Sequence, residues 1–275
     1  MRLGVIGAGG MAETMLEGLA AELPEPLERL AVLVRPGRSA TAEALRARFG
    51  KSVAVESGVH ETLESFLSVR PRLVAECAGH AAVGAYGPAV LAAGCDFLVV
   101  SVGALADDDL RARLETAAKQ GGARLILATG AVGGLDALGA ARLSGLESVV
   151  YTGSKPPRAW KGTKAESLLA LDTIDAPAAF YEGTAREAAQ LYPQNANVAA
   201  AVALAGAGFE ATRVRLVADP GLTLNVHEIA VRATCANFTI RLEGRPSPAN
   251  PKTSLTAGYS LARTVLNASG RMVVA

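Results

Sequence analysis

Aromatic residues are scarce in this chain: six Phe, five Tyr and one Trp make up 4% of 275 residues. Core volume must come from Ala, Leu and Val, as it does in parallel sheets covered by helices of small residues. An excess of charge of either sign is lacking too. With 27 Lys and Arg against 26 Asp and Glu, the formal charge is +1. That balance excludes a polyanion-binding character, so neither nucleic acid nor an anionic membrane is expected, and any phosphate recognition must be local. Cysteine is limited to Cys77, Cys95 and Cys235, an odd number without CxxC or metal-ligand spacing, and each reads as a small buried hydrophobe. Met1 leads straight into a strand-like run with no signal peptide, which predicts a reduced, cytoplasmic protein. The uncharged stretch Ala188–Phe209 includes Gln190, Pro193, Gln194, Asn195 and Asn197, and its apolar half is mainly alanine and glycine. A membrane span needs about 20 predominantly apolar residues, so a buried helix behind a polar turn is predicted instead.

What is present is a packed-core composition, 50% apolar and 19% charged, in a chain long enough for two domains. The first third alternates strand-like runs (Arg2–Ile6, Leu30–Val34, Val53–Val55, Leu73–Glu76, Phe97–Val100, Arg124–Leu127) with helical spacings (Ala12–Glu22, Ala40–Phe49, Leu63–Val69, Gly84–Ala93, Ala106–Gln120). Such alternation implies βαβ units and a doubly wound parallel sheet, an α/β Rossmann architecture. Near Thr129–Gly134 the texture changes. In Leu222–Val231, Leu222, Leu224 and Val226 alternate with Thr223, Asn225 and His227, and Asn237–Leu242 repeats the pattern. The reading is a second, α+β domain with a largely antiparallel sheet, whose polar face lines a cleft or meets a second subunit. Arg245–Lys252, with three prolines, reads as a linker to a final amphipathic helix, Ser254–Asn267, expected to return to the first domain. The expected domains are 1–131 with 250–275, and 132–249.

The segment Gly7-Ala8-Gly9-Gly10-Met11-Ala12 is a GxGxxA turn directly after a strand and opening a helix. Gly7 permits the tight turn, Gly9 lets backbone approach a pyrophosphate, and Ala12 allows close helix packing, while the helix N-terminus offers N–H groups to phosphate. Gly7, Ala8, Gly9, Gly10 and Met11 are therefore candidate cofactor contacts. The second strand ends in Arg35, with Arg38 following and no Asp or Glu at the ribose-reading position. This leans towards NADP, or use of both NADP and NAD.

Three histidines are present and none has ligand spacing, so no metal site is expected. His60 sits in a charged, helix-like start and reads as a surface residue. His80 follows a strand at the carboxyl edge, where ligands bind in open sheets, and either faces the nicotinamide or shapes the turn. His227 shares a polar strand face with Asn225. An imidazole is the side chain suited to proton transfer near neutral pH. Lys155, Arg158, Lys161 and Lys164 crowd one segment and could meet substrate carboxylates.

Taken together, Glu76-Cys77-Ala78-Gly79-His80, Ser101-Val102-Gly103-Ala104-Leu105, Tyr151-Thr152-Gly153-Ser154-Lys155-Pro156-Pro157, Trp160-Lys161-Gly162-Thr163, Pro193-Gln194-Asn195-Ala196-Asn197-Val198 and Asn225-Val226-His227-Glu228 closely resemble the L-aspartate dehydrogenase family, from the glycine turn to the last helix. The resemblance implies oxidative deamination of L-aspartate to oxaloacetate and ammonia through iminoaspartate, with NAD or NADP, and a link to NAD biosynthesis. It also implies His227 as active-site acid/base, cofactor contacts at Ala131 and Asn197, and a homodimer. Substrate contacts are expected among Asn225, Lys164 and His80. One departure is Ser154, where the family more often has Arg. The competing readings are a homoserine-dehydrogenase-like or dihydrodipicolinate-reductase-like enzyme, and a dinucleotide-binding regulator without catalysis.

Overall fold

The computed structural model describes residues 1–193, 197–247 and 250–273. The chain divides into two compact units, Met1–Ala128 with the chain from Ala257 onward, and Thr129–Thr256.

The first unit is built on β1 (Arg2–Ile6), β2 (Leu27–Leu33), β3 (Ala54–His60), β4 (Leu73–Glu76), β5 (Asp96–Val99) and β6 (Leu125–Leu127), which form one sheet in the order β3-β2-β1-β4-β5-β6. Every pairing is parallel. Between the strands run α1 (Gly10–Glu22), α2 (Ser39–Val53), α3 (Leu63–Ser68), α4 (His80–Ala92) and α5 (Asp108–Gly121). The order reverses direction between β1 and β4, which opens a crevice at the strands' carboxyl ends. Helix α1 buries Ala12, Met15, Leu16 and Leu19, the i, i+3, i+4, i+7 stripe of a helix lying on a sheet. Local signals bound α5: the Asp107 side chain accepts from the Leu110 N–H, and Gly122 closes the helix in the left-handed region. The C-terminal helix, Leu255–Ser269, buries Leu261, Ala262 and Val265 in the same core as Leu3, Val5 and Leu16. It crosses α1 closely, because a Cβ on Gly258 would lie 2.6 Å from the Thr14 side chain.

The second unit contains α6 (Leu135–Ser144), β7 (Leu146–Lys155), β8 (Ala178–Thr184), α7 (Ala185–Leu191), α8 (Asn197–Ala205), α9 (Gly208–Ala211), β9 (Arg213–Ala218), β10 (Asn225–Ala233) and β11 (Asn237–Gly244). Its sheet runs β11-β10-β7-β9-β8. The β7–β9 pair is parallel and the other three pairings are antiparallel.

Several expectations are corrected. The proline-rich linker contains two short paired strands, β12 (Pro246–Ser247) and β13 (Asn250–Ser254); positions 248 and 249 lie outside the described residues. The buried helix expected within Ala188–Phe209 is α8, and the stretch also takes in the end of α7 and the start of α9, with part of its polar turn, 194–196, outside the described residues. No helix among the described residues is long and apolar enough to cross a membrane. His60 ends strand β3 half-buried, bonded to Ser65, because β3 runs five residues further than its three-residue apolar signal. Cys77 and Cys95 are buried, but Cys235 is exposed.

The faces of β10 are also reassigned. The strand begins only at Asn225, and Asn225 and His227 join Ile229 and Val231 on a buried face. The polar residues are therefore interior, flanked by hydrophobic ones.

Candidate active site

The turn after β1 is held by the Gly7 N–H donating to the Leu33 carbonyl at 2.8 Å and the Cys77 N–H donating to the Ile6 carbonyl at 2.9 Å. Gly7 has φ +98°, and a Cβ there would lie 3.0 Å from the Cys77 carbonyl, so a side chain is excluded on conformational and steric grounds. A Cβ on Gly9 would meet nothing within 4 Å; it would project into open space. That space is a cavity of about 550 Å³ bordered by Gly7, Ala8, Gly9, Arg35, Arg38 and Tyr86, among others. Gly9 caps α1 without a side-chain hydrogen bond, which leaves first-turn N–H groups for an anionic ligand. The residues present fit a dinucleotide: backbone cradle, helix dipole and room.

The exposed Arg35 and Arg38 border this cavity. The neighbouring carboxylate of Glu61 is turned to the loop backbone, accepting from the Gly37 N–H at 3.0 Å and from the Ser39 hydroxyl. Gly10 and Met11 open α1, and the Met11 side chain packs on the core. His80 is the first residue of α4, half-buried and already hydrogen-bonded or otherwise engaged.

Glu76, which the sequence showed only as the end of a strand and the start of a motif, organises the carboxyl edge. It is fully buried at the end of β4. One carboxylate oxygen accepts from the Ala78 and Gly79 N–H groups at 2.7 and 2.6 Å, and the other from the Ser101 N–H at 3.0 Å. It thus ties the loop after β4 to the loop after β5. Its signal was available, since a carboxylate ending an apolar strand and followed by Cys-Ala-Gly needs buried partners. Cys77 beside it is held well above the usual thiol range by burial and by the Glu76 charge, so it is a packing residue rather than a nucleophile.

The second unit carries the titratable groups. On β10 and β7 the register sets His227 opposite Gly153 and Ile229 opposite Tyr151. Directly opposed residues share a face, so Tyr151, Gly153 and Lys155 of β7 lie on the face of Asn225 and His227. His227 is 5% exposed, Asn225 8% and Lys155 8%. The Tyr151 hydroxyl lies 2.8 Å from His227 Nδ1. Burial, and next the charge of Lys155, push the imidazole down to about 3. Burial likewise lowers the Lys155 ammonium to about 8. The Lys155 Nζ lies 5.0 Å from the centre of the Trp160 ring, and Trp160 donates its indole N–H to the Val217 carbonyl.

Of the sequence-derived second-unit candidates, the sheet brings Asn225 and His227 together. Lys164 is exposed at the start of a short 3-10 turn, Lys164–Ser167, and Lys161 is exposed and paired with Asp172. Lys155 is the buried cation of that run, a choice that spacing alone could not make. Ala131 lies in the turn before α6, half-buried, and Asn197 opens α8. Ser154 points to the opposite face from Lys155, since neighbours in a strand alternate, so the departure at this position leaves the histidine face unaltered. No group of His, Cys, Asp and Glu side chains able to hold a metal is found among the described residues.

A doubly wound dinucleotide fold, joined to a sheet with a buried imidazole and amine, defines a nicotinamide-dependent oxidoreductase. Residues 7–128 match the family model described as homoserine dehydrogenase, NAD binding domain, and residues 136–268 match that described as aspartate dehydrogenase, C-terminal. The chain is 48% identical to L-aspartate dehydrogenase of Ruegeria pomeroyi over 95% of this chain and 90% of that one. It is 42% identical to that of a Polaromonas species over the full length of both. In fold it is similar to the crystal structure of aspartate dehydrogenase from Thermotoga maritima, with TM-score 0.75, 24% identity, and coverage of 100% and 99%. The chain belongs to the L-aspartate dehydrogenase family, oxidoreductases acting on a CH–NH2 group, and its cofactor is NAD(P). The homoserine-type reading extends no further than the dinucleotide-binding half.

Proposed function

We propose that this enzyme oxidises L-aspartate with NAD(P)+ and water to oxaloacetate, ammonium, NAD(P)H and a proton, with iminoaspartate as the intermediate. The observation that carries the reading is the buried amine, amide and imidazole of Lys155, Asn225 and His227 on one sheet face. A dicarboxylate needs cationic and N–H partners, and imine hydrolysis needs a proton-handling group.

A nicotinamide cofactor, when bound, would supply the acceptor for the hydride lost from the substrate Cα. The chain's own groups do the rest. Gly7, Ala8, Gly9, Gly10 and Met11 hold the pyrophosphate with backbone and helix dipole, and Arg35 with Arg38 takes the adenosine 2′-phosphate of NADP. Ala131 and Asn197 complete the cofactor contacts. Lys155, one of four cations the sequence offered for this role beside Arg158, Lys161 and Lys164, binds a substrate carboxylate, and Asn225 orients the amino acid. His227 serves the proton transfers. An anionic substrate beside the imidazole raises its proton affinity from the low value imposed by burial. His80 lies at the carboxyl edge of the first sheet, opening α4 directly after the loop that Glu76 braces. The enzyme works as a cytoplasmic homodimer and supplies iminoaspartate to NAD biosynthesis.

Steady-state rates test this with aspartate, homoserine and 2-hydroxy acids, and with oxaloacetate plus ammonia, each with both cofactors. Aspartate-dependent reduction with NADP+ at least as good as NAD+ is expected. Turnover of homoserine but not aspartate would reject the substrate assignment, and tight cofactor binding without any turnover would favour a regulatory module.

A further inference from the structure

Gly153 sits directly opposite His227 across the β7–β10 ladder, and Tyr151 lies two residues before it on the same face. A Cβ at Gly153 would fall 2.7 Å from the Tyr151 hydroxyl oxygen and 3.2 Å from its ring carbon Cζ. The phenol therefore lies across the position where a side chain of residue 153 would be, and reaches His227 Nδ1 at 2.8 Å. The two rings are nearly parallel, at 16°, with centroids 6.1 Å apart, an offset arrangement compatible with a hydrogen bond between their polar edges.

From this geometry we infer that Tyr151 is a positioning residue that holds His227 in its Nε2–H tautomer, through a bond that exists because residue 153 has no side chain. The phenol is 1% exposed, and burial holds its proton above the ordinary phenol range. A buried hydroxyl must donate to an acceptor, and among the described residues its hydrogen-bond contact is with Nδ1. With Nδ1 accepting, a neutral imidazole carries its proton on Nε2. Burial, and next the charge of Lys155 on the same face, favour the neutral ring.

The inference rests on the proposed aspartate chemistry for its consequence but not for its test. A neutral Nε2–H meets the substrate as a hydrogen-bond donor, suited to a carboxylate or to the oxygen formed when water adds to an imine. Base action at Nε2 then requires the Tyr–His bond to reverse, with Nδ1–H donating and the hydroxyl turning away.

Nitrogen-15 NMR of protein labelled at histidine reads the tautomer directly, because only three histidines contribute and His227→Gln identifies the signal. Nε2 protonated and Nδ1 unprotonated are expected in the free enzyme. Tyr151→Phe, and separately Gly153→Ala, should shift both nitrogens towards a tautomer mixture. Tyr151→Phe should also lower kcat roughly 10-fold, the worth of one hydrogen bond, with cofactor Kd unchanged. A wild-type spectrum with Nδ1 protonated, or Tyr151→Phe shifts matching wild type, overturns the inference. The wild-type spectrum suffices if a variant fails to fold. The expected tautomer in an enzyme inactive on aspartate would remove the proposed function and leave the inference standing.

Discussion

Replacing Lys155 by Met should make the enzyme more stable and less able to bind aspartate. Burial lowers the ammonium from an ordinary 10.5 to about 8. At about 1.4 kcal/mol per unit, keeping it charged at pH 7 costs the folded state about 3 kcal/mol. The Trp160 ring 5.0 Å away returns about 1 kcal/mol as a cation–π contact, less than the desolvation cost. Met fills the volume without a charge, and a net gain of up to about 2 kcal/mol is expected at pH 7. The pH dependence carries the sign. Between pH 8 and 10.5 the unfolded chain holds a proton at this position that the folded chain has released. Wild-type stability therefore rises with pH through this window, relative to Lys155→Met. The advantage of the variant should shrink by about 2 kcal/mol between pH 7 and pH 10. Urea denaturation of both proteins at pH 7, 9 and 10 measures this as a difference, in which the common titration of Tyr151 and Cys77 cancels. In parallel, KM for aspartate should rise roughly 10- to 100-fold, the range for a lost charge-assisted hydrogen bond, with cofactor affinity preserved. A destabilised variant at pH 7, or a difference flat from pH 7 to 10, would refute the desolvation argument. An unchanged KM would take Lys155 out of substrate binding.

Other substitutions probe the remaining parts. His227→Ala should reduce turnover roughly 100-fold or more while cofactor titrations stay as in wild type; wild-type turnover would remove the imidazole from the mechanism. Arg35→Asp should weaken NADP more than NAD, because a carboxylate at this cavity edge repels the 2′-phosphate; equal losses in fluorescence titrations would show that Arg35 does not read that position. Glu76→Ala leaves the N–H groups of residues 78, 79 and 101 without their acceptor, and about 2–4 kcal/mol of stability should be lost. A midpoint shift under 1 kcal/mol in guanidinium would mean that water replaces the carboxylate.

The first unit was legible because its signals are local. The run Arg2–Ile6 and the glycine turn lie within a dozen residues, and the carboxyl edge follows from strand order. One boundary slipped where local preference is weak: β3 continues through Glu56, Ser57 and Gly58 because pairing with β2 along its length outweighs their poor strand propensity. In the second unit, strand β7 was visible only as a motif. Its buried face reads Val149, Tyr151, Gly153 and Lys155, a sequence in which glycine and lysine mask the alternation. The interior position of Asn225 and His227 was likewise hidden, since polar residues on alternate positions signal a solvent face until a neighbouring strand covers them.

The chain by itself determined the dinucleotide turn, the arginines at its edge, the family and the candidate histidine, because each depends on residue type within a short span. Only tertiary structure decided that Lys155 rather than Lys164 is buried, that Glu76 braces two loops, and that a phenol passes over a glycine to the imidazole. Those depend on which residues are set opposite one another by pairing between distant strands, and on how much water that pairing removes, neither of which is encoded at any single position.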